Sequence, residues 1–222
     1  MDWQTWHDKY DRPGSRMARR LQVVQSQIRS VLDGSPSGPL RIVSLCAGQG
    51  RDLLEVLASH PRRDDVRARL VELDGRNTAR AASAARAAGL HRVDVVTADA
   101  ALTDHYRDLV PADLVLVCGL FGNIADDDIA RTIDTCACLC RTGGAIVWTR
   151  HRDPPDLVPQ ICGLFEASGF DRQWLSDPRE DFGVGVHRFA GIPRPLIAGL
   201  RMFTFVGYDV LRQQSAARPA TS

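Results

Sequence analysis

From residue 16 the apolar positions Met17, Leu21, Val24, Ile28 and Leu32 recur every three to four residues. That spacing puts them on one face and predicts an amphipathic helix over 16–32. Ser15 stands where a helix cap would, and the Gly/Pro/Ser segment 33–39 ends the run. Beyond residue 40 the period changes. Short, almost continuous apolar runs at 41–46, 66–73, 92–97, 113–118 and 144–150 read as buried strands. Helical stretches separate them, at 52–57, 77–88, 103–109, 126–140 and 155–168. Two more strand-like pieces, 171–175 and 183–189, have no helix between them, and 200–208 reads as a further strand.

Strands that are apolar throughout and alternate with helices predict a parallel sheet covered on both faces. The late pair without a helix predicts an antiparallel hairpin at one edge. The expected fold is therefore α/β: a seven-stranded, mostly parallel sheet with an antiparallel edge strand and helices on both faces. Residues 1–39 are expected to form an N-terminal helical lid, 40–212 the main domain, and 213–222 a disordered tail.

In an open sheet of this kind a ligand lies beyond the carboxyl ends of the strands. Four of those ends carry suggestive residues. The first strand runs into Cys46-Ala47-Gly48-Gln49-Gly50, where small residues let the backbone approach a ligand closely and the next helix offers its N–H groups. The second ends Val71-Glu72-Leu73-Asp74, and a carboxylate there can accept both hydroxyl protons of a ribose. The third is followed by Asp99-Ala100, where a carboxylate can accept from an adenine amino group. The fourth ends Cys118-Gly119-Leu120-Phe121, with Leu120 and Phe121 placed to flank a flat ring.

These strand ends, over roughly 40–190, resemble those of class I S-adenosylmethionine (SAM) dependent methyltransferases, a Rossmann-like family. The whole pattern is also similar to uncharacterised bacterial methyltransferases that act on small molecules. The resemblance implies SAM as cofactor. It implies Ala47, Gly48 and Gly50 at the methionine part and Glu72, or else Asp74, at the ribose. Asp99 with Ala100 would meet the adenine, beside the rim residues Cys118 and Leu120. The sequence departs from the family loop, which often begins with an acid and has an earlier glycine; Ser44 and Cys46 hold those places. The Asp/Asn-Pro-Pro-aromatic motif used on nucleic-base amines is absent after the fourth strand. The implied reaction is methyl transfer to a small-molecule acceptor, on oxygen or nitrogen, driven mainly by alignment and desolvation.

Composition narrows the alternatives. The 28 basic residues nearly cancel 27 acidic ones, for a net charge of +1, so charge does not call for a nucleic-acid partner. Lys9 is the single lysine, which argues against Schiff-base chemistry. The first thirty residues lack the apolar core of a signal peptide and no run is long enough to span a bilayer, so a cytoplasmic, reduced setting is expected for the six cysteines. Cys136, Cys138 and Cys140 have no second ligand pair at zinc spacing and read as small buried helix residues, with no metal site. A competing reading is an NAD(P)-dependent oxidoreductase. Its fingerprint wants a third glycine where Leu53 stands. A third reading is a non-catalytic SAM-binding protein.

Two further groups carry alternatives. Trp3, Trp6, His7 and Tyr10 either pack on the body or form a lid, with Tyr10 touching the cofactor. Arg150-His151-Arg152-Asp153 follows the fifth strand. It is either a solvated turn or an acceptor site in which His151 is a general base and Arg150 or Arg152 holds an anion. His7 is the second candidate base. The run 202–206 is expected to be an exposed edge able to pair two subunits in a homodimer.

Overall fold

The computed structural model describes Arg12 and residues 14–217, with backbone alone for 214–217. Its centre is one seven-stranded sheet. In chain order the strands are β1 (Leu40–Leu45), β2 (Val66–Glu72), β3 (Val93–Thr97), β4 (Ala112–Val117), β5 (Cys140–His151), β6 (Phe170–Leu175) and β7 (Phe182–Phe189). Across the sheet they lie β3-β2-β1-β4-β5-β7-β6. The pairs from β3 through β5 are parallel, and β7 runs antiparallel to both β5 and β6. The hairpin foreseen at one edge is thus β6–β7, with the reversed strand one place inside β6.

Helices cover both faces because the central strands are apolar on both. Alternate residues of β4 show this: Val115 and Val117 enter one core, Leu114 and Leu116 the other. The first core takes Ile129 and Ile133 of α4 (Asp126–Leu139) and Ile161 and Phe165 of α5 (Val158–Ala167). The second takes residues of α1 (Arg16–Asp33), α2 (Arg51–Leu57) and α3 (Gly75–Ala87). Helix α1 starts where its cap predicts, with Ser15 Oγ accepting from Ala18 N at 3.1 Å. Its stripe of Val24, Ile28 and Leu32 is buried.

The structure corrects several expectations. Helix α1, expected as part of an N-terminal lid, has its apolar stripe built into the layer on the sheet. Strand β5 begins at Cys140, four residues early, and absorbs Gly143 (φ +76°) through a register shift opposite Ala112 and Leu114. The segment 200–208 is not a strand. It makes one isolated bridge, Arg201 with Leu102, and then crosses the ends of the sheet irregularly. Met202 and Phe203 are buried, and the Met202 amide is bonded to Ala101 O, so this segment offers no open edge to a second subunit. The last helix, α6 (Tyr208–Ala217), takes in residues read as disordered tail. No described helix is long and apolar enough to cross a membrane.

Candidate functional site

A cavity of about 370 Å³ opens at the carboxyl ends of β1 to β5. The β1 loop forms its floor. Gly48 (φ +56°) and Gly50 (φ +67°) both need the left-handed region. A Cβ on Gly50 would meet Leu70 Cδ2 at 2.5 Å, so this glycine lets the loop pack on β2. Cys46 takes φ +50°, the one positive φ of a non-glycine residue among the described residues. Cys46 thus adopts a backbone region that favours glycine. The Cys46 thiol is pushed up by burial and by Glu72 and Asp99 beyond it, which keeps it a neutral thiol.

Glu72 ties this floor to the next strand. Its Oε2 accepts from Gly48 N and its Oε1 from Asp74 N, both at 2.9 Å. Asp74 plays a different part. It caps α3 by accepting from Arg76 N at 2.8 Å, and the Arg76 guanidinium holds its carboxyl down to about 2. Both acids weighed for one role line the cavity, Glu72 braced by two backbone amides and Asp74 by its own helix. Asp99 accepts from Ala101 N at 3.0 Å and pairs with Arg201 at 2.9 Å. Asp99 and Ala100 line the same cavity, as do Ala47, Gly48, Gly50 and Cys118.

The β4 end departs from expectation. Leu120 and Phe121 do not line the cavity; both are fully buried, and Phe121 packs against Trp148 and Phe165 at ring separations of 6.1 and 6.2 Å. Gly119 (φ +80°) turns the chain so that these side chains enter the core beside α4. Its own peptide groups are clamped. Thr149 Oγ1 accepts from Gly119 N at 2.8 Å, and Asn123 Nδ2 donates to Gly119 O at 2.6 Å. Both clamping residues line the cavity, and neither was singled out from sequence. Asn123 also anchors the C-terminal segment. Its backbone O accepts from Val206 N and Gly207 N, and its Oδ1 accepts from Tyr208 N. So held, Phe203 and Phe205 form a wall of the cavity. The only trace of them in the sequence is an aromatic alternation that also fits a strand.

His151 stands apart from this wall. It packs edge-on against Tyr208, at 5.0 Å between rings, and close to Gly122. Burial and the neighbouring Arg150 lower its imidazole to about 4, so it is neutral at pH 7 and weakly basic. Asp153 accepts from Tyr208 Oη at 2.8 Å and from Arg16 Nη1 at 3.1 Å, which joins α6 to α1. Arg150 is buried and donates to Phe121 O. Arg152 pairs with Asp156 at 2.6 Å. None of these four residues lines the cavity, so the structure does not assemble the general-base site read from sequence. His7 and Tyr10 lie outside the described residues. Cys136 and Cys140 are buried, and no group of three metal-ligating side chains gathers among the described residues.

The remaining wall comes from α1 and α2. Arg20, Leu21 and Val24 of α1 and Asp52 of α2 border the cavity. Burial raises the Asp52 carboxyl to about 6, against the pull of its bond from Leu53 N and of Arg20.

A Rossmann-like sheet with an acid-braced glycine loop at the carboxyl ends of its strands defines the chain as an α/β protein of the doubly covered, mostly parallel kind. The family described as "Putative methyltransferase" matches residues 13–163, and the chain belongs to that methyltransferase family. Solved structures share the fold. One is an O-methyltransferase family protein from Burkholderia thailandensis, with TM-score 0.60 and 17% identity over 78% of this chain and 56% of that one. Another is the 1,6-didemethyltoxoflavin-N1-methyltransferase of the same organism, solved with 1,6-didemethyltoxoflavin and S-adenosylhomocysteine. It gives TM-score 0.58 and 17% identity, over 77% of this chain and 78% of that one. The magnesium protoporphyrin IX methyltransferase from Synechocystis, solved with SAM, gives 0.60 and 11%, over 78% and 81%. No curated protein matches the sequence significantly.

Proposed function

We propose that this protein is a SAM-dependent methyltransferase acting on an oxygen or nitrogen of a small molecule. The observation that carries the reading is Glu72, which lines the cavity and accepts from Gly48 N of the β1 loop. A dinucleotide would need that loop amide for its pyrophosphate, and would meet a carboxylate in its place. A nucleoside without phosphates has no such conflict. Glu72 keeps lone pairs for ribose hydroxyls, and Asp99 with Ala100 stands one strand further along for the adenine. Leu53, fully buried against the sheet, fills the position of the third dinucleotide glycine. The small-molecule substrate of the toxoflavin enzyme supports an acceptor of similar size.

When bound, SAM supplies an electrophilic methyl group on a sulfonium centre. The chain's own contribution is placement. The clamped Gly119 peptide and Thr149 fix the rim beside β4 and β5. Phe203, Phe205, Leu21 and Val24 exclude water from the same space. Among the described residues no histidine lines the cavity, and His7 lies outside them. The six cysteines, all free thiols, support a reducing, cytoplasmic setting.

S-adenosylhomocysteine at 100-fold over its Kd should stabilise the fold by about 2.7 kcal/mol. For a chain of this size that is roughly 5–10 °C in Tm. Nicotinamide dinucleotides should give no shift. A shift with NAD(P) and none with SAM or its demethylated product would reverse the reading. Transfer of labelled methyl to a panel of phenols, carboxylates and N-heterocycles separates an enzyme from a protein that only binds.

A further inference from the structure

We propose that the β4–β5 end of the cavity is a slot for a flat, uncharged ring, with Phe203 as a wall and the Thr149 hydroxyl donating to an oxygen or nitrogen of that ring. The inference rests on the methyl-donor reading above and names the class of acceptor that the same cavity takes.

Two segments far apart in the chain wall the slot. Val24 of α1 belongs to the core on one face of the sheet and Phe203 to the core on the other, and both line the cavity. The space between them opens over the strand ends with an apolar side chain on either side. Leu21, one turn before Val24, lines it too. The Phe203 wall is fixed through its backbone. Met202 N donates to Ala101 O at 2.8 Å, Thr204 N to Asp128 Oδ2 at 2.7 Å and Val206 N to Asn123 O at 2.8 Å. The stretch 202–206 thus runs from the loop after β3 to the loop after β4 and is pinned on both sides of Phe203. Walls held in this way favour a thin ligand, because apolar burial without voids needs contact on both faces of it. A phenyl wall adds a preference for an aromatic face.

The strand ends between the walls carry an unused donor. Thr149 is fully buried near the end of β5 and lines the cavity. Its Oγ1 accepts from Gly119 N at 2.8 Å, and nothing among the described residues accepts its own proton. A buried hydroxyl proton is costly to leave without an acceptor. The neighbouring Asn123 is already engaged, its Nδ2 by Gly119 O and its Oδ1 by Tyr208 N. Charge decides the rest. Among the described residues of the lining, Arg20 and Arg51 stand against Asp52, Glu72, Asp74 and Asp99. That excess of carboxylates suits a cationic donor and opposes an anionic acceptor.

Calorimetric titrations of the full chain saturated with S-adenosylhomocysteine compare 2-naphthol with three relatives. Naphthalene lacks the oxygen, decahydro-2-naphthol is not flat, and 2-naphthoate is anionic. 2-Naphthol should bind about 10-fold or more tightly than decahydro-2-naphthol and 2-naphthoate. Thr149→Val should weaken 2-naphthol roughly 3- to 10-fold and leave naphthalene within about 2-fold, the pattern of one lost hydrogen bond. Thr149→Ser, which keeps the hydroxyl, should bind both as wild type does. A merely structural role for Thr149 would move both probes together. Phe203→Leu, which keeps the core filled, should weaken both probes roughly 3- to 10-fold. Equal losses of the two probes in Thr149→Val, or tighter binding of 2-naphthoate or decahydro-2-naphthol, would overturn the assignment. So would a wild type that holds S-adenosylhomocysteine and no 2-naphthol. A wild type that does not bind S-adenosylhomocysteine would sink the methyl-donor reading itself.

Discussion

Cys46 and Glu72 show how much rests on single residues. The backbone at Cys46 sits at φ +50°, a conformation costing an L-residue roughly 1–2 kcal/mol. Glycine there relieves the strain but gives up the packed thiol and adds freedom to the unfolded chain. Cys46→Gly should therefore stay within about 1 kcal/mol of wild type by urea denaturation, while the β-branched Cys46→Val should cost about 2 kcal/mol or more. Equal stability of the two variants would contradict the positive φ. Glu72 holds two backbone amides with two carboxylate oxygens. A glutamine has one acceptor oxygen, and its amide nitrogen would face an N–H. Glu72→Gln should lose about 1–3 kcal/mol in apo stability and, in a titration, most of the affinity for S-adenosylhomocysteine. Unchanged binding would remove Glu72 from the ribose site.

At the scale of elements, the C-terminal segment depends on one side chain. Asn123 links the β4 loop to Tyr208 through its Oδ1 and to Gly119 through its Nδ2. Asn123→Ala removes both bonds and should loosen the segment locally by roughly 2–4 kcal/mol. The expected outcome is faster proteolytic cleavage within 199–208 with the sheet's far-UV signal intact. Cleavage at the wild-type rate would mean that Asp128, which accepts from Thr204 N at 2.7 Å, is the main anchor. Helix α1 tells a complementary story. Its apolar stripe serves the core, and the same turn of helix delivers Arg20, Leu21 and Val24 to the cavity.

For the whole molecule, acid sensitivity follows from a histidine remote from the site. His187 is fully buried, accepts from Trp148 Nε1 at 3.0 Å and stacks on Phe165. Burial lowers its imidazole from 6.5 to about 4. The unfolded chain then binds the proton more readily, so stability is full above pH 6.5 and falls as pH drops toward 4. Between pH 7.5 and 5 this one group should cost about 2 kcal/mol. The raised carboxyl of Asp52 works in the opposite sense over the same range. The contribution of His187 is therefore read as the difference between wild type and His187→Phe, which keeps the ring. Parallel pH profiles for the two would remove His187 as the cause.

The sequence by itself determined the alternation of elements, and through it the sheet. Near-continuous apolar strands such as β4 must be covered on both faces, and that requirement is local and readable. It also determined the strand ends, because glycines and isolated acids at those places stand out against apolar runs. Glu72, Asp99 and the β1 loop were legible for that reason. What only the tertiary structure decided was direction and partnership. Leu120 and Phe121 turned into the core because one glycine rotates the chain. Asp74 was taken by its own helix, and His151 was drawn under Tyr208. Asn123, Phe203 and Arg20 reached the cavity from segments 80 or more residues apart, and no local period encodes such a meeting. It follows from how the ends of the chain cross the sheet.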